Sequence, residues 1–296
     1  MISIIITAFN EPNINEAIDS VLNQDIKEDY ELIVAAPDKE TEELVNKYKQ
    51  TYKQIKYFKD PGKGKSFALN LLFKELKSDI LILTDGDLIL DKDSINEIIN
   101  AFKDEKVGCI TGRPISLNSK DNMLGFWSHL LYDAGAHRIR KEKSENNQFL
   151  ECTGYLFAFR NNGVIKDIPL DVAEDSIIPY YFWKNGYKVK YCDSAKVYVK
   201  NPDNLKDFIK QRKRAGAGSH SKLKVYEPDF PKMKSFINEV RKGTFWALSY
   251  PRNIKEFIWT LCLFPTRFYI WASYYYDWKF KNKGYQDGWD KAQSTK

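Results

Sequence analysis

The sequence predicts an α/β domain with a mostly parallel central sheet flanked by helices. Two observations lead to this fold class. Apolar runs that are too short for helices alternate with stretches in which apolar residues recur at helical spacing. The run from Asp79 to Thr84 is apolar on both faces, which is typical of a strand buried inside a parallel sheet. Such alternation implies right-handed crossovers, so that helices cover both faces of the sheet.

The predicted elements follow one another regularly through the first part of the chain. The predicted strands there are 2–7, 31–36, 55–58, the run that ends at Thr84, and 107–111. The helices predicted between them are 14–22 with Asn13 as its cap, a helix around 44–48, 66–76 and 95–102.

The second part of the chain is less regular. We predict there a helix at 123–140, a polar loop at 141–147, a strand at 149–160 interrupted by Gly154, a helix at 176–183, strands at 188–191 and 197–199, and a basic helix at 204–214. The sequence Ala215-Gly216-Ala217-Gly218 is expected to end that last helix.

The C-terminal tail differs from the rest in composition. Pro228 and Pro231 interrupt any regular element, and the stretch 254–280 is mostly aliphatic and aromatic. Pro265 and Arg267 divide this stretch, and neither half reaches the ~20 apolar residues that span a bilayer. Its aromatic residues and the lysines after them match the composition of a membrane interface. We therefore interpret it as a pair of helices lying on a membrane surface; the alternative is that the aromatics cover the core of the main domain.

Composition narrows the class of protein. Hydrophobic residues make up 43% and charged residues 29% of the 296 residues, as in ordinary globular proteins, which argues against general disorder. The formal charge of +6 favours phosphate-bearing partners only weakly, and no nucleic-acid-binding signature is present. Four widely spaced cysteines indicate a reducing compartment. The N-terminus has no basic region before its short apolar run, so we predict a first strand rather than a signal peptide, and a cytoplasmic protein.

Asp85 and Asp87 are the first candidates for chemistry. They follow the buried strand at its carboxyl end, where ligands bind in open α/β sheets. Two carboxylates so close together are costly unless a cation neutralises them, and hard oxygen ligands suit Mg²⁺ or Mn²⁺. The pair therefore predicts a metal that carries a nucleotide diphosphate. The competing interpretation is a turn, since Asp-Gly is common in hairpins.

A second motif, Gly64-Lys65-Ser66, lies between a short strand and a helix and partly matches a phosphate-binding P-loop. A P-loop needs a glycine where this chain has Lys59, and it usually follows the first strand of its sheet. We therefore reject a P-loop NTPase. Gly62 and Gly64 still allow the backbone to approach a diphosphate at the N-terminus of the next helix.

These motifs form part of a longer ordered series. The series is Ile4-Ile5-Ile6-Thr7-Ala8-Phe9-Asn10-Glu11, Asp38, Gly64-Lys65-Ser66-Phe67-Ala68-Leu69-Asn70, Thr84-Asp85-Gly86-Asp87, Glu174-Asp175 and Gln211-Arg212-Lys213-Arg214. It resembles the family 2 inverting glycosyltransferases of the GT-A fold over about three quarters of the chain. Thirty-five residues separate Asp175 from Gln211. The family's signature places that interval between its catalytic Asp and its Gln-x-x-Arg-Trp box.

The resemblance implies a site for a nucleotide diphosphate sugar, with a UDP-sugar expected, in the half of the domain formed by 1–115. The residues that it assigns to donor binding are Thr7, Phe9, Glu11, Asp38, Lys65, Asp85, Gln211, Arg212 and Arg214. It also implies that Asp85 and Asp87 bind Mn²⁺ or Mg²⁺. The arginines would face the diphosphate, because a planar guanidinium suits phosphate.

The same resemblance makes Asp175 the general base that deprotonates the acceptor hydroxyl, so that in-line attack inverts the anomeric centre. The acceptor half would be 116–224, followed by the helical tail 225–296 at the membrane. Simpler interpretations remain for three sets of residues. They are first-turn helix acids for Glu174-Asp175, a solvated basic face for Lys210 to Arg214, and a loop acid for Glu11.

One position departs from the family's pattern, because Ala215 stands where the family often has Trp. This departure, together with the lack of a transmembrane channel in the sequence, implies a non-processive enzyme with a finite acceptor. The tail suggests a lipid-linked acceptor, such as a polyprenyl phosphate or an oligosaccharide on one, reached peripherally from the cytoplasmic face of a membrane. Two other classes stay open, a nucleotidyltransferase and a catalytically silent nucleotide-sugar-binding protein.

Overall fold

The computed structural model describes residues 1–231, 233, 239–281 and 295. Its strands are β1 (Ile2–Thr7), β2 (Tyr30–Ala36), β3 (Ile55–Lys59), β4 (Ile80–Asp85), β5 (Leu88–Leu90), β6 (Val107–Ser116), β7 (Leu156–Arg160) and β8 (Lys188–Val199). They form one sheet in the order β3-β2-β1-β4-β7-β6-β8-β5. The pairs β1–β2, β1–β4, β2–β3 and β6–β8 are parallel, while β7 pairs antiparallel with β4 and β6, and β5 with β8. The predicted α/β fold with a mostly parallel sheet is therefore confirmed.

Helices cover both faces of this sheet. They are α1 (Ile14–Leu22), α2 (Lys39–Thr51), α3 (Lys65–Glu75), α4 (Ser94–Ala101), α5 (Met123–Leu130), α6 (Arg138–Glu145), α7 (Glu174–Lys184), α8 (Leu205–Tyr226), α9 (Thr244–Leu248) and α10 (Ile254–Lys281). Two π-helical segments, Leu131–His137 and Glu239–Gly243, lead into α6 and α9. Alternate residues of β1 enter opposite layers of the core, with Ile4 beside Ile18 of α1 and Ile5 beside Leu69 of α3. Because β1 and β4 are parallel neighbours, their carboxyl ends lie at the same edge of the sheet.

Several predicted strands differ from the observed ones. The segment 149–153 is buried but lies outside the ladder, because its backbone bonds to other partners: Cys152 N donates to Asp175 O (2.9 Å) and Thr153 N to Thr111 Oγ1 (2.9 Å). The two strands predicted at 188–191 and 197–199 are one strand, β8, since β6 pairs beside both parts across irregularities in register. Gly86 and Asp87 do form a turn, as the competing interpretation predicts, but it is not a hairpin turn, because β4 and β5 do not pair and β5 lies at the sheet edge.

Three helix predictions also need correction. The polar loop predicted at 141–147 is helical as far as Glu145, because its lysine and glutamate residues favour a helix. Helix α8 continues through 215–218, although each glycine there costs about 1 kcal/mol relative to alanine. Its two ends are fixed by packing, since Phe208 and Leu223 are buried. The pair of tail helices is a single helix, α10, in which Pro265 lies on the exposed side and can lack its backbone hydrogen bond there.

Helix α10 packs lengthwise against α5 and α8. Its buried residues Leu263 and Ile270 join Phe126 and Trp127 of α5 and Phe208 of α8 in a separate apolar cluster. The indole of Trp127 donates to the backbone oxygen of Trp259 (2.7 Å). Among the described residues, no helix combines the length and the apolarity that crossing a bilayer would require. The parts of the predicted tail at 232, 234–238, 282–294 and 296 lie outside the described residues.

Candidate active site

The turn Asp85-Gly86-Asp87 lies directly against the end of β1. Gly86 N donates to Thr7 O (2.9 Å), and a Cβ at Gly86 would lie only 2.8 Å from the Cβ of Ala8. Glycine is therefore required for the turn to pack this closely. The Thr7 hydroxyl donates to Asp85 Oδ1 (3.0 Å), so β1 orients the carboxylate that ends β4.

Lys65 joins this turn to a second acidic group. Gly64, with φ of 105°, ends the loop before α3, and Lys65 is the first residue of that helix. The Lys65 ammonium lies 2.7 Å from Asp85 Oδ1 and 2.6 Å from Glu174 Oε1. Only 11% of the Lys65 side chain and 7% of the Glu174 side chain are exposed. Burial opposes the charge on Lys65, but the two carboxylates outweigh it and raise its pKa well above the usual value. The ammonium is therefore a fixed positive charge inside the site.

Asp175 follows Glu174 in the first turn of α7. Its backbone oxygen accepts from Cys152 N (2.9 Å), and Ser176 Oγ lies 3.4 Å from Asp175 Oδ1. Gly154 faces the carboxylate, because a Cβ built there would lie 3.5 Å from Asp175 Oδ2. The Asp175 side chain is half-buried, whereas that of Glu174 is buried. Adjacent acids thus have different environments: Glu174 holds Lys65, and Asp175 keeps access to solvent.

The loops after β1 and β2 meet at Asp38. Its Oδ1 caps α2 by accepting from the amide (3.0 Å) and the hydroxyl (2.6 Å) of Thr41, and its Oδ2 accepts from Asn10 N (3.2 Å). Burial raises the pKa of Asp38, but these hydrogen bonds outweigh it and hold the pKa below its usual value. In the first of these loops, Phe9 is half-buried and Glu11 is buried. Asp38 therefore has a structural role, the capping of α2, which is independent of its predicted role in donor binding.

Arg212 carries the clearest unmet bonding capacity of the site. Its guanidinium carbon lies 5.4 Å from the ring centre of Phe208 and 5.8 Å from that of Tyr132. Its Nε and Nη2 are buried and find no hydrogen-bond partner among the described residues, and the same holds for Oε1 of Gln211. Buried polar groups are rarely left unpaired, so these atoms are suited to a ligand. Arg214, by contrast, is exposed.

Tyr155 connects Arg212 with the acids. Burial, together with Asp85 and Asp87, raises the pKa of Tyr155, while Arg212 acts in the opposite direction. All three charged groups are therefore within electrostatic range of this phenol. The hydroxyls of Tyr155 and Tyr132 are 3.3 Å apart, and the backbone oxygen of Tyr155 accepts from Thr84 Oγ1 (2.8 Å).

Asp85 and Asp87 could serve as ligands of a divalent cation whose other ligands are phosphate oxygens and water. Among the residues that the structure describes, no three His, Cys, Asp or Glu side chains converge as a complete metal cage. Mg²⁺ and Mn²⁺ are commonly held by one or two carboxylates together with phosphate oxygens and water, so a cage is not required. The contact between the Lys65 ammonium and Asp85 Oδ1 shows that this carboxylate already holds a cationic group.

The structure brings most of the predicted site residues together around one edge of the sheet. Those linked by contacts or electrostatics are Thr7, Lys65, Asp85, Asp87 and Arg212, and Asp175 is the chain neighbour of Glu174, which contacts Lys65. Two partners were not predicted as site residues. Glu174 was visible in the sequence as half of an acidic pair, but nothing there indicated its contact with Lys65. Tyr155 belongs to no motif, and only its position in the fold identifies it.

Comparison with known proteins decides the family. Residues 3–166, more than half of the chain, match the family described as Glycosyl transferase family 2. The chain belongs to this family. The family predicted from the motifs is thereby confirmed.

Relatives of known name agree with this membership. The chain is 26% identical over 231 residues to the poly-beta-1,6-N-acetyl-D-glucosamine synthase of Staphylococcus aureus (strain COL), covering 75% of this chain and 55% of that protein. The Staphylococcus epidermidis protein of the same name is 24% identical over 229 residues, with the same coverage. The chain thus spans little more than half the length of these relatives.

Solved structures support the fold at lower identity. The mannosyltransferase PcManGT from Pyrobaculum calidifontis, in complex with GDP-Man and Mn²⁺, has a TM-score of 0.59 at 16% identity, covering 95% of this chain and 81% of the other. Residues 1–349 of Staphylococcus aureus TarS, in complex with UDP-GlcNAc, have a TM-score of 0.52 at 15% identity, covering 93% and 80%. The fold is GT-A-like.

Proposed function

We propose that the protein transfers a sugar from a nucleotide diphosphate sugar, a UDP-sugar in the first place, to a hydroxyl or phosphate acceptor with inversion of the anomeric centre. The observation that carries this proposal is the Lys65 bridge, which ties Asp85 on the donor side to Glu174, the neighbour of Asp175. One short chain of contacts thus joins the leaving-group side of the site to the candidate base. TarS, of similar fold, binds UDP-GlcNAc, which supports the choice of donor.

The donor would occupy the edge formed by 1–115. Thr7, Phe9, Glu11 and Asp38 would hold the nucleoside. Asp38 has Asn10 N and Thr41 on its carboxylate, which fixes the orientation of its oxygens for a ligand. Lys65 would remain beside the donor as a fixed positive charge.

The diphosphate would lie between the turn after β4 and helix α8. Asp85 and Asp87 would hold a divalent cation, Mn²⁺ or Mg²⁺, which when bound offsets charge on the departing diphosphate. PcManGT, which has a similar fold, was obtained with Mn²⁺, so Mn²⁺ is the first cation to test. The unpaired N–H groups of Arg212 would donate to phosphate oxygens, with Gln211 beside them. Arg214, on the exposed side of α8, would contribute through charge alone.

Asp175 would act as the general base toward an acceptor bound by 116–224. Its half-buried carboxylate has no ion-pair partner among the described residues, so it is available to accept a proton. For the acceptor we propose a lipid-linked molecule, such as a polyprenyl phosphate or an oligosaccharide on one, met at the cytoplasmic face of a membrane. The aromatic and basic composition of α10 motivates this choice.

The test compares wild-type protein with Asp175→Asn. Thermal shift with a set of UDP-sugars, with and without Mn²⁺, should give a higher Tm for the matching donor in both proteins, because a ligand that binds only the native state stabilises it. Transfer should fall by about 10²- to 10⁴-fold in the variant, because the base is lost. Asp167→Asn, which removes an exposed acid, is the matched control and should keep full transfer.

Three outcomes would contradict the proposal in different parts. If no nucleotide sugar raises the Tm, the donor assignment fails. If Asp175→Asn keeps wild-type transfer, another group is the base. If both proteins bind the donor but wild type transfers nothing to any lipid, saccharide or water acceptor, the protein is a silent binding module.

A further inference from the structure

Helix α10 presents large apolar side chains to the surface as well as to the core. Large apolar side chains point outward along its whole length, 43–80% exposed: Ile254, Phe257, Ile258, Leu261, Phe268, Tyr269, Tyr275, Tyr276 and Phe280. We call this surface the outer face of α10. At about 100° of rotation per residue, all nine fall within an arc of about 140°, so they form one stripe about 40 Å long.

Two charged side chains of α10, those of Arg267 and Asp277, are engaged on the opposite side. Arg267 forms a bidentate pair with Glu239 (2.6 and 2.7 Å), and Asp277 pairs with Lys213 of α8 (2.5 Å). The indole of Trp271 also donates to Glu239 (2.8 Å). A surface helix of a soluble domain normally directs such groups to water and its apolar stripe to the core. Here the protein side receives both apolar and charged groups, whereas the outer face is apolar except for the exposed Lys279 near its C-terminal end.

The size of the outer face exceeds what an ordinary surface carries. Its nine side chains expose on the order of 1,000 Å², taking about 150–250 Å² for each aromatic residue, whereas the largest apolar patch of a typical monomer is about 300–600 Å². Such a surface marks an interaction site.

We propose that the outer face of α10 docks onto an anionic lipid surface. The aromatics include Tyr269, Tyr275 and Tyr276, whose rings are apolar and whose hydroxyls are polar, as suits a boundary between hydrocarbon and water. Exposed basic residues lie near both ends of the stripe: Arg252 precedes it, Lys255 follows its first member, and Lys279 lies next to its last member. These charges complement acidic headgroups.

Charge also argues against a second copy of this chain as the occupant. The acids of α10, Glu256 and Asp277, both have partners within the protein, since Glu256 accepts from Arg252 N (2.7 Å) and Asp277 pairs with Lys213. A two-fold pairing of outer faces, parallel or antiparallel, would therefore bring basic ends together without acids between them. Such like-charge contacts oppose association.

Docking would also place the catalytic cleft close to the lipid. Helix α8, which carries Gln211 and Arg212, lies beside α10 at a helix-to-helix distance of roughly 8–10 Å. The link between docking and a lipid-linked acceptor rests on the proposed function, whereas docking itself does not.

The experiment is vesicle flotation of the full chain without donor or acceptor. Wild type should float with vesicles of phosphatidylcholine and phosphatidylglycerol, bind pure phosphatidylcholine more weakly, and lose binding as salt increases. Ile258→Ser/Tyr269→Ser should reduce the partition coefficient about tenfold or more, because two apolar side chains no longer insert. Leu117→Ser/Leu170→Ser removes two equally exposed apolar side chains elsewhere on the surface and should bind as wild type.

Circular dichroism and the Tm of each variant establish that it is folded, and light scattering after size exclusion gives the oligomeric state. Wild type that stays with the aqueous fraction at every lipid composition overturns the proposal. So does an outer-face variant that floats as well as wild type, or a dimer that the same variant dissociates while no protein floats. Because no sugar transfer is measured, a failure here leaves the proposed reaction untouched, and a failed transfer assay leaves docking untouched.

Discussion

Lys65 compensates the negative charges of two acidic side chains in the site. Its ammonium is shared between Asp85 and Glu174, and all three groups are largely removed from water. A carboxylate in such a place is tolerated because it has a cationic partner, and the loss of that partner leaves an uncompensated charge. Lys65 thus stabilises the fold at the same point at which we propose that it serves the donor.

We expect Lys65→Met to lower the free energy of unfolding by about 3 kcal/mol, because two carboxylates lose their cation. Glu174→Gln should cost less, since Lys65 keeps Asp85. The double variant should be more stable than Lys65→Met alone, because one of the two unpaired charges is gone. Urea unfolding of the four proteins measures these differences, and additive effects would contradict a shared pair. Because the pKa of Lys65 is raised in the folded protein, the charged ammonium contributes fully to the free energy of unfolding below pH about 10. This contribution is lost only as the pH rises through the higher pKa of the folded state.

The structural role of Asp38, as the cap of α2, can be tested by stability measurements alone. Asp38→Ala removes the cap of α2 and should lower the free energy of unfolding by about 1 kcal/mol, whereas Asp38→Asn keeps a good cap and should cost much less. The lowered pKa means that the charge stabilises the fold above the unfolded value of 3.8 and that this contribution is lost as pH falls through the folded value. Unfolding curves between pH 3 and 7 should therefore converge for wild type and Asp38→Asn at the acid end. If the two proteins differed more in stability at pH 3 than at pH 7, the charge of Asp38 would not be what stabilises wild type.

How much of the site the sequence reveals depends on the residue. Asp175 is marked by its interval to Gln211, and Asp85 by its position after a buried strand, so the sequence is enough to make both of them candidates. The contact of Glu174 with Lys65 joins residues more than a hundred positions apart, and no spacing rule encodes it. Tyr155 is positioned by the antiparallel pairing of β7 with β4, which a pattern of alternating strands and helices does not predict.

At the scale of elements, tertiary packing overrides local preference in the second half of the chain. The glycines of α8 favour a break, but Phe208 and Leu223 are buried on either side of them and hold both ends of the helix. Strand β8 contains Cys192 to Ala195, a weak strand sequence, and is continued by pairing with β6. The first half was predictable because β1, β2 and β4 are largely buried on both faces there, and their apolar pattern is sufficient.

The contact between the Glu239–Gly243 segment and α10 depends on one carboxylate, that of Glu239. Burial raises the pKa of Glu239, but Arg267 and Trp271 outweigh it and lower the pKa. At neutral pH the carboxylate is therefore ionised and accepts hydrogen bonds from both residues. We expect Glu239→Gln to lower the free energy of unfolding by about 2 kcal/mol, because charge-assisted bonds are lost. Glu43→Gln, which removes the exposed partner of Lys39, is the control and should change it by about 0.5 kcal/mol or less. Equal effects in urea unfolding would show that the Glu239 contact is no more than a surface pair.

For the whole molecule, the finite acceptor predicted from Ala215 is open to direct test. The Ala215 side chain lies outside the described residues, and the matching relatives are named as synthases of a polymer. We expect the purified protein to add a fixed small number of sugars, because Ala215 stands where the family often has Trp. Mass spectrometry of the product at increasing donor concentration measures its length. A ladder that lengthens with donor would indicate a processive enzyme.

The Lys65–Asp85 contact has a final consequence, for the order in which ligands bind. In the free protein an ammonium already occupies one oxygen of Asp85, so a divalent cation arriving alone must compete with it. A cation that arrives with a diphosphate brings negative charge to which the ammonium can turn. We therefore expect cation and donor to bind synergistically, each raising the affinity for the other by the same factor. The resting site would then select the loaded donor complex over either component, and a cell's free cation would rarely fill it.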